Sequence, residues 1–395
     1  MTQTASPRPQ LDQMQRRAVV VGAAGLLLCL GGAFLNPSQF FQSYLFAYLF
    51  WIGIALGCLA IMMLHHLVGG GWGIVIRRLL EAATMTLPLM AVLFMPLLFG
   101  LHDLYLWARP AEVASDANLQ HKSPYLNVSF FVIRASIYFV AWIAVASLLR
   151  RWSLKQDRTA DPVLTRRFQR LSGPGLALYG LTVTFASIDW VMSLEPHWFS
   201  TIYGMLMAIG QWLTGLAFVI VILALLAKDP PLSDVLSPRL FHDLGNLLFA
   251  FIFLWGYIAF CQYLLIWSGN LTEEIPWYLH RTAGGWKWIA LVLILFHFAV
   301  PFLLLLSRDI KRSTGALSVV AAAIVLMHLF NHFWMVAPAF YPSGLHLHWL
   351  DVAAPVGIGG IWLAVFIWQL KSQALLPRHD PRLQEAFVRK PFEHE

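Results

Sequence analysis

About ten apolar stretches, each roughly twenty residues long, occupy most of this 395-residue chain. At ~1.5 Å of rise per residue, each can cross ~30 Å of hydrocarbon as a helix, so the chain reads as a polytopic membrane protein. The stretches fall at about 18–35, 44–68, 84–108, 126–149, 174–193, 199–227, 240–268, 286–306, 315–337 and 349–371. Backbone groups in hydrocarbon must be satisfied within their own segment, and no alternating ten-residue pattern of a barrel is present. The expected fold class is therefore all-α. Hydrophobic residues make up 59% of the chain and charged ones 12%, with a mean hydropathy of +0.66, which leaves no room for a soluble catalytic domain.

The natural division is an N-terminal segment 1–17, a transmembrane domain 18–371 and a tail 372–395. Within the domain, spans two to five (about 44–193) and six to nine (about 199–337) are each expected to form a four-helix bundle, with 18–35 and 349–371 as flanking helices.

A net charge of +7 could point to nucleic acid, but the placement of the charges argues against it. Of 27 Lys and Arg residues, 22 lie in the termini and the even-numbered loops, 4 on the opposite side, and Arg134 within a span. This asymmetry predicts cytoplasmic termini. The richest loop, 150–173, is bracketed by Asp161-Pro162 and Gly173-Pro174 and reads as a basic amphipathic piece on the lipid surface. The first span has no cleavage site after it and reads as a retained helix, and the tail after Lys371 reads as polar chain reaching to partners or solvent. Cys29, Cys58 and Cys261 are isolated, and without a CxxCH motif the chain cannot attach haem c covalently; an iron–sulfur cluster or other metal centre is not expected in it either.

Ionisable groups inside the spans cost ~2.5–3.5 kcal/mol each at the bilayer centre, so they are normally turned inward, paired or part of a pathway. Arg134, Asp189, His102 and Asp103 can reach a common depth on the outer side of the first bundle. Such a set suits oxidation of a hydroquinone, which loses two protons with its two electrons; the alternative is an Arg134–Asp189 ion pair that only locks two helices. In the second bundle, His297 should lie level with His328, and His328 and His332 share one face of span nine at i, i+4. These histidines permit a proton relay, a bis-histidine haem b or a satisfied structural role. Nearer the cytoplasm, His65-His66 and His242-Asp243 are either mouths of an inner half-channel or a plain polar interface. On the outer face, Glu195 with His197, Glu273, Glu274, His280, Arg281, His346, His348 and Asp351 forms a polar rim suited to docking a periplasmic subunit.

Several runs carry a family resemblance: Leu64-His65-His66-Leu67 through Gly71-Trp72-Gly73, then Arg77-Arg78-Leu79-Leu80-Glu81-Ala82, and Gly100-Leu101-His102-Asp103-Leu104-Tyr105. Ser187-Ile188-Asp189-Trp190 through Pro196-His197-Trp198 and Ile275-Pro276-Trp277-Tyr278-Leu279-His280-Arg281 extend it. Together they resemble the F membrane subunit of alternative complex III, in the NrfD/polysulfide-reductase membrane superfamily. The resemblance implies ten helices in a bacterial inner membrane and a part in quinol oxidation. It also implies a sister NrfD-like membrane subunit, partner-held iron–sulfur clusters and multi-haem cytochrome c subunits, with lipid around them and no redox cofactor on this chain beyond a possible quinol. In such complexes the better supported quinol site belongs to the sister subunit, so proton movement through Asp243, His297, His328 and His332, or scaffolding alone, competes with quinol binding. A secondary transporter is the rival from another class; it predicts matched helix interruptions in two halves, and Pro88 and Pro96 in span three have no counterpart in span seven.

Overall fold

A computed structural model describes residues 9–159, 161, 163–377, 379, 380 and 383. Residues 1–8, Pro162 and most of the tail beyond 380 lie outside the described residues. Ten helices are long and apolar enough to cross a membrane: α1 Gln10–Leu35, α2 Pro37–Val68, α3 Gly71–Phe99, α4 Val128–Thr159, α5 Val163–Leu194, α6 Tyr203–Leu226, α7 Pro238–Gly269, α8 Trp286–Leu306, α9 Thr314–Ala339 and α10 Leu350–Lys371. The protein is a polytopic all-α membrane protein. An even number of antiparallel spans puts both ends of the chain on one face, called here the terminal face; the other is the far face.

Short-range chemistry sets the corners. Asn36 alone separates α1 from α2, its Oδ1 accepting the Gln39 N–H at 3.2 Å while Pro37 takes a first-turn position that needs no donor. The α2–α3 turn requires positive φ at Gly69 (78°) and Gly70 (97°), which a side chain would oppose. Ser237 and Ser313 cap α7 and α9 through the amides of Leu240 and Ala316.

Helix α2 is apolar on every side and almost wholly buried, as expected of a helix enclosed by others, whereas α1 and α8 are mostly exposed and face lipid. Against α2 pack α3, α5, α6, α9 and α10; α4 packs on α5 and α3, α7 on α6 and α8, and α1 on α10. Two seams depend on glycine. A Cβ at Gly57 would lie 1.8 Å from the Gln211 carbonyl oxygen, so α2 and α6 touch backbone to backbone. Gly22 and Gly25 of α1 meet Gly360 and Gly357 of α10, where added Cβ atoms would come within 2.4–2.8 Å of backbone. Small residues of this kind let helices approach where burial from water supplies no driving force.

Three expectations are corrected. The third span is Gly71–Phe99, not 84–108, because Arg77, Arg78 and Glu81, which read as loop by hydropathy, are paired inside the protein, the two arginines with Glu81 and with Asp380 and Asp157 from outside the helix. The 150–173 stretch is not a separate surface piece: α4 runs on to Thr159 and α5 starts at Val163, with Pro174 inside it, so each helix, ~48 Å long, extends past the hydrocarbon. The first part of the tail folds back instead of reaching out. Leu375 and Leu376 are buried, and Asp380 accepts from Arg77 Nη1 at 2.7 Å.

Candidate functional site

Three buried polar centres lie among the apolar helices. The first joins α4 to α5 near the far face. Arg134 sits six residues into α4, ~9 Å along its axis, and Asp189 stands five residues before the end of α5. The guanidinium grips the carboxylate with two parallel bonds, Nε to Oδ2 and Nη2 to Oδ1, both 2.8 Å. Tyr138 donates to the same Oδ2 at 2.8 Å, and Nη1 reaches the Tyr125 carbonyl at 2.8 Å. The Tyr125 and Phe130 rings flank the guanidinium carbon at 3.9 and 4.3 Å, and Asp189 is fully enclosed. A bidentate pair in a dry setting is a strong, oriented contact with both charges satisfied.

The four residues expected in this centre do not all meet. His102 is exposed, and Asp103 is half-buried, where its Oδ1 accepts from Ser38 Oγ at 2.7 Å. Arg109 holds the backbone carbonyls of both. The chain leaves α3 at Gly100 and turns through two short helical pieces, Leu101–Leu104 and Leu106–Ala108, so these side chains face the rim. Tyr138 and Tyr125 take the places expected for them. Tyr138 was legible in principle, one turn along α4 from Arg134.

The second centre lies between α7, α8 and α9. His297 belongs to a π-helical turn, Leu293–Ala299, favoured because Pro301 lacks the N–H that an α-helix would send to the His297 carbonyl. The ring centroids of His297 and His328 are 5.2 Å apart and those of His328 and His332 are 4.6 Å apart, and all three residues are buried. His332 Nδ1 pairs with the His328 carbonyl at 3.0 Å. Both ring nitrogens of His297, Nδ1 of His328 and Nε2 of His332 have no hydrogen-bond partner among the described residues. The Trp255 ring stands edge-on to His297 at 4.1 Å. His328 lies against the Gly210 backbone, where a Cβ would come within 2.7 Å of it. Protein thus fills the flanks of the rings, and the three imidazoles adjoin in series, His297 tilted against His328 and His332 edge-on to His328.

Polar groups stand at both ends of these helices. At the far face, Glu195 accepts from Arg281 Nη1 at 2.8 Å and pairs with His280 Nδ1 at 3.0 Å. Burial alone would raise the Glu195 pKa, but Arg281 and His280 hold the carboxyl below its usual range. Arg281 also donates to the Met335 carbonyl at 2.7 Å, and the Met335 sulfur receives Asn331 Nδ2 at 3.4 Å, one residue from His332. At the terminal face, Asn246 pairs with His242 and accepts from Lys311 Nζ at 2.8 Å, with Asp243 half-buried beside them. His65 and His66 are enclosed, not placed at an open mouth: His66 stacks on Phe168 at 4.5 Å, and His65 fills the space above Gly73.

A third centre was missed as a site although its sequence was noted. Glu81 receives Arg77 Nε at 3.0 Å, Arg78 Nη1 at 2.8 Å and Ser153 Oγ at 2.6 Å, while Arg77 also bonds Gln156, and Arg78 pairs with Asp157. Arg-Arg-x-x-Glu at i, i+3 and i, i+4 was the available signal. Among the described residues, no group of three or more His, Cys, Asp or Glu is arranged to hold a metal ion.

These helices and buried charges define a class: a multi-pass membrane protein with internal polar centres. No family model matches the chain, and no curated protein resembles it at a significant level.

Proposed function

We propose that this chain is an integral membrane subunit of a quinol-oxidising electron-transfer complex of a bacterial inner membrane, with both termini cytoplasmic, and that its second bundle moves protons. The observation that carries this reading is the row His297, His328 and His332 inside apolar helices, four of whose ring nitrogens have no hydrogen-bond partner among the described residues. Imidazole is a donor at one nitrogen and an acceptor at the other, so adjoining rings can pass a proton by exchanging tautomers. Glu195 with Arg281 marks the far end of the row, and Asp243 with His242, Asn246 and Lys311 marks the terminal end. The resemblance to the F subunit of alternative complex III supplies the redox context. Partner subunits then carry the iron–sulfur clusters and c-type haems, and a sister membrane subunit accompanies this chain. Arg134 and Asp189 serve as a lock of the first bundle or as the wall of a quinol site.

The test is His328→Leu in the assembled complex reconstituted into vesicles. Electron transfer from quinol should persist while proton movement per electron falls by more than half. Unchanged proton movement refutes the relay. Purification through a tag on this chain checks the context: co-purifying multi-haem and iron–sulfur subunits support it, and a chain that purifies alone and colourless overturns it.

A further inference from the structure

A groove of about 280 Å3 runs between α1, α6 and α10 at the terminal face. Its walls are apolar: Leu11 and Met14 from α1, Ile222 and Leu225 from α6, and Phe366 and Leu370 from α10. Gln10, Met14 and Arg17, at i, i+4 and i+7, put one side of α1 along it. The apolar run of α1 begins at Ala18 and continues to Leu35, ~27 Å of helix, so Arg17 stands where hydrocarbon gives way to head groups.

The charges at this level are unequally committed. Lys371, at the end of α10, is paired with Asp12 and donates to Gln15 at 2.7 Å. Arg17 is exposed and makes no hydrogen bond or ion pair among the described residues, and exposed Arg16 and Lys228 add positive charge at the same end of the helices. Beyond the groove, the outer side of α1 exposes Val20 and Leu27, each 68% accessible, which is the surface of a helix in contact with acyl chains. An occupant therefore arrives from the bilayer, offers an apolar chain to the walls and brings an anion to Arg17.

We propose that this groove is a binding site for an anionic phospholipid, with an acyl chain lying between α1 and α6 and the phosphate held by Arg17. A guanidinium matches two phosphate oxygens at once, and the added positive charge favours a net-negative lipid over a zwitterionic one. Such a lipid fills the seam between α1 and α10 at its terminal-face end, where Ala18 borders both the groove and the glycine contact at Gly360. The site is independent of the proton path.

Native mass spectrometry of the whole chain in mild detergent, titrated with phosphatidylglycerol and separately with phosphatidylcholine, tests the proposal. The chain should bind phosphatidylglycerol the more tightly. Arg17→Gln should weaken that binding about fivefold, the loss expected for one surface cation, and weaken phosphatidylcholine, whose phosphate is offset by its choline, by less, so that the preference narrows. Leu225→Trp, at a groove residue that is 59% exposed and so tolerant of a larger side chain, should weaken both lipids. Equal binding of the two lipids by the unaltered chain, or retention of the full preference by Arg17→Gln, overturns the proposal. Preference that emerges only when residues 1–8 are deleted also overturns it, by making the chain's own N-terminus the occupant.

Discussion

Replacing Asp189 with Asn removes a charge from a fully enclosed position with almost no change of shape. Arg134 then keeps its bond to the Tyr125 carbonyl but loses the carboxylate that both Nε and Nη2 address at 2.8 Å. Removing one member of a buried pair costs about 3–5 kcal/mol, and the amide oxygen can still accept one of the three original bonds, which places the expected loss near 3 kcal/mol. The combined variant Arg134→Met, Asp189→Leu and Tyr138→Phe strands neither a charge nor a hydroxyl and should lie within about 1 kcal/mol of the unaltered chain. Unfolding in mixed micelles of mild detergent and dodecyl sulfate, run as a cycle over the single and combined variants, gives the coupling directly. A cost below about 1 kcal/mol for Asp189→Asn, or a coupling near zero, refutes the claim that the pair holds α4 to α5. Turnover of the assembled complex then separates the two roles. On the function proposed above, a stable combined variant with normal turnover assigns the pair to packing, and a stable but inactive one assigns it to the chemistry.

At Glu195 the folded pKa lies below the ordinary value of 4.5, so its contribution is full above that value and is lost as the pH falls further; the melting temperature should decline more steeply in acid for the unaltered chain than for Glu195→Gln. Gly57→Ala puts a methyl group 1.8 Å from the Gln211 oxygen and should destabilise the protein by about 1–3 kcal/mol or more as α2 and α6 separate, whereas Gly31→Ala, with open space around it, should be nearly neutral; thermal unfolding in detergent compares them. Asp380→Ala removes the Arg77 contact of the folded-back tail and should speed limited proteolysis after Lys371 severalfold, and an unchanged rate would show that Leu375 and Leu376 hold the segment without it.

Much of the Arg134–Asp189 centre was legible because each of these residues stands alone in an apolar stretch, and a lone charge there needs a partner at its own depth. The same rule misplaced His102 and Asp103, since the chain bends away at Gly100 and returns them to the rim. It also passed over Arg77, Arg78 and Glu81. Three charges within five residues lower local hydropathy as a loop does, although once paired they fit inside a helix.

The sequence by itself determined the ten membrane-spanning helices and the side on which most positive charge collects, because both follow from the transfer of local segments between water and hydrocarbon. Tertiary structure decided which charges meet, where the tail returns, and how His297, His328 and His332 come to adjoin. Those outcomes depend on neighbours across helices, and the approach of those helices is set by contacts such as Gly57 on Gln211 and Gly210 on His328. Hydropathy along a single chain does not encode that distance; it is reached only when backbones pack against one another.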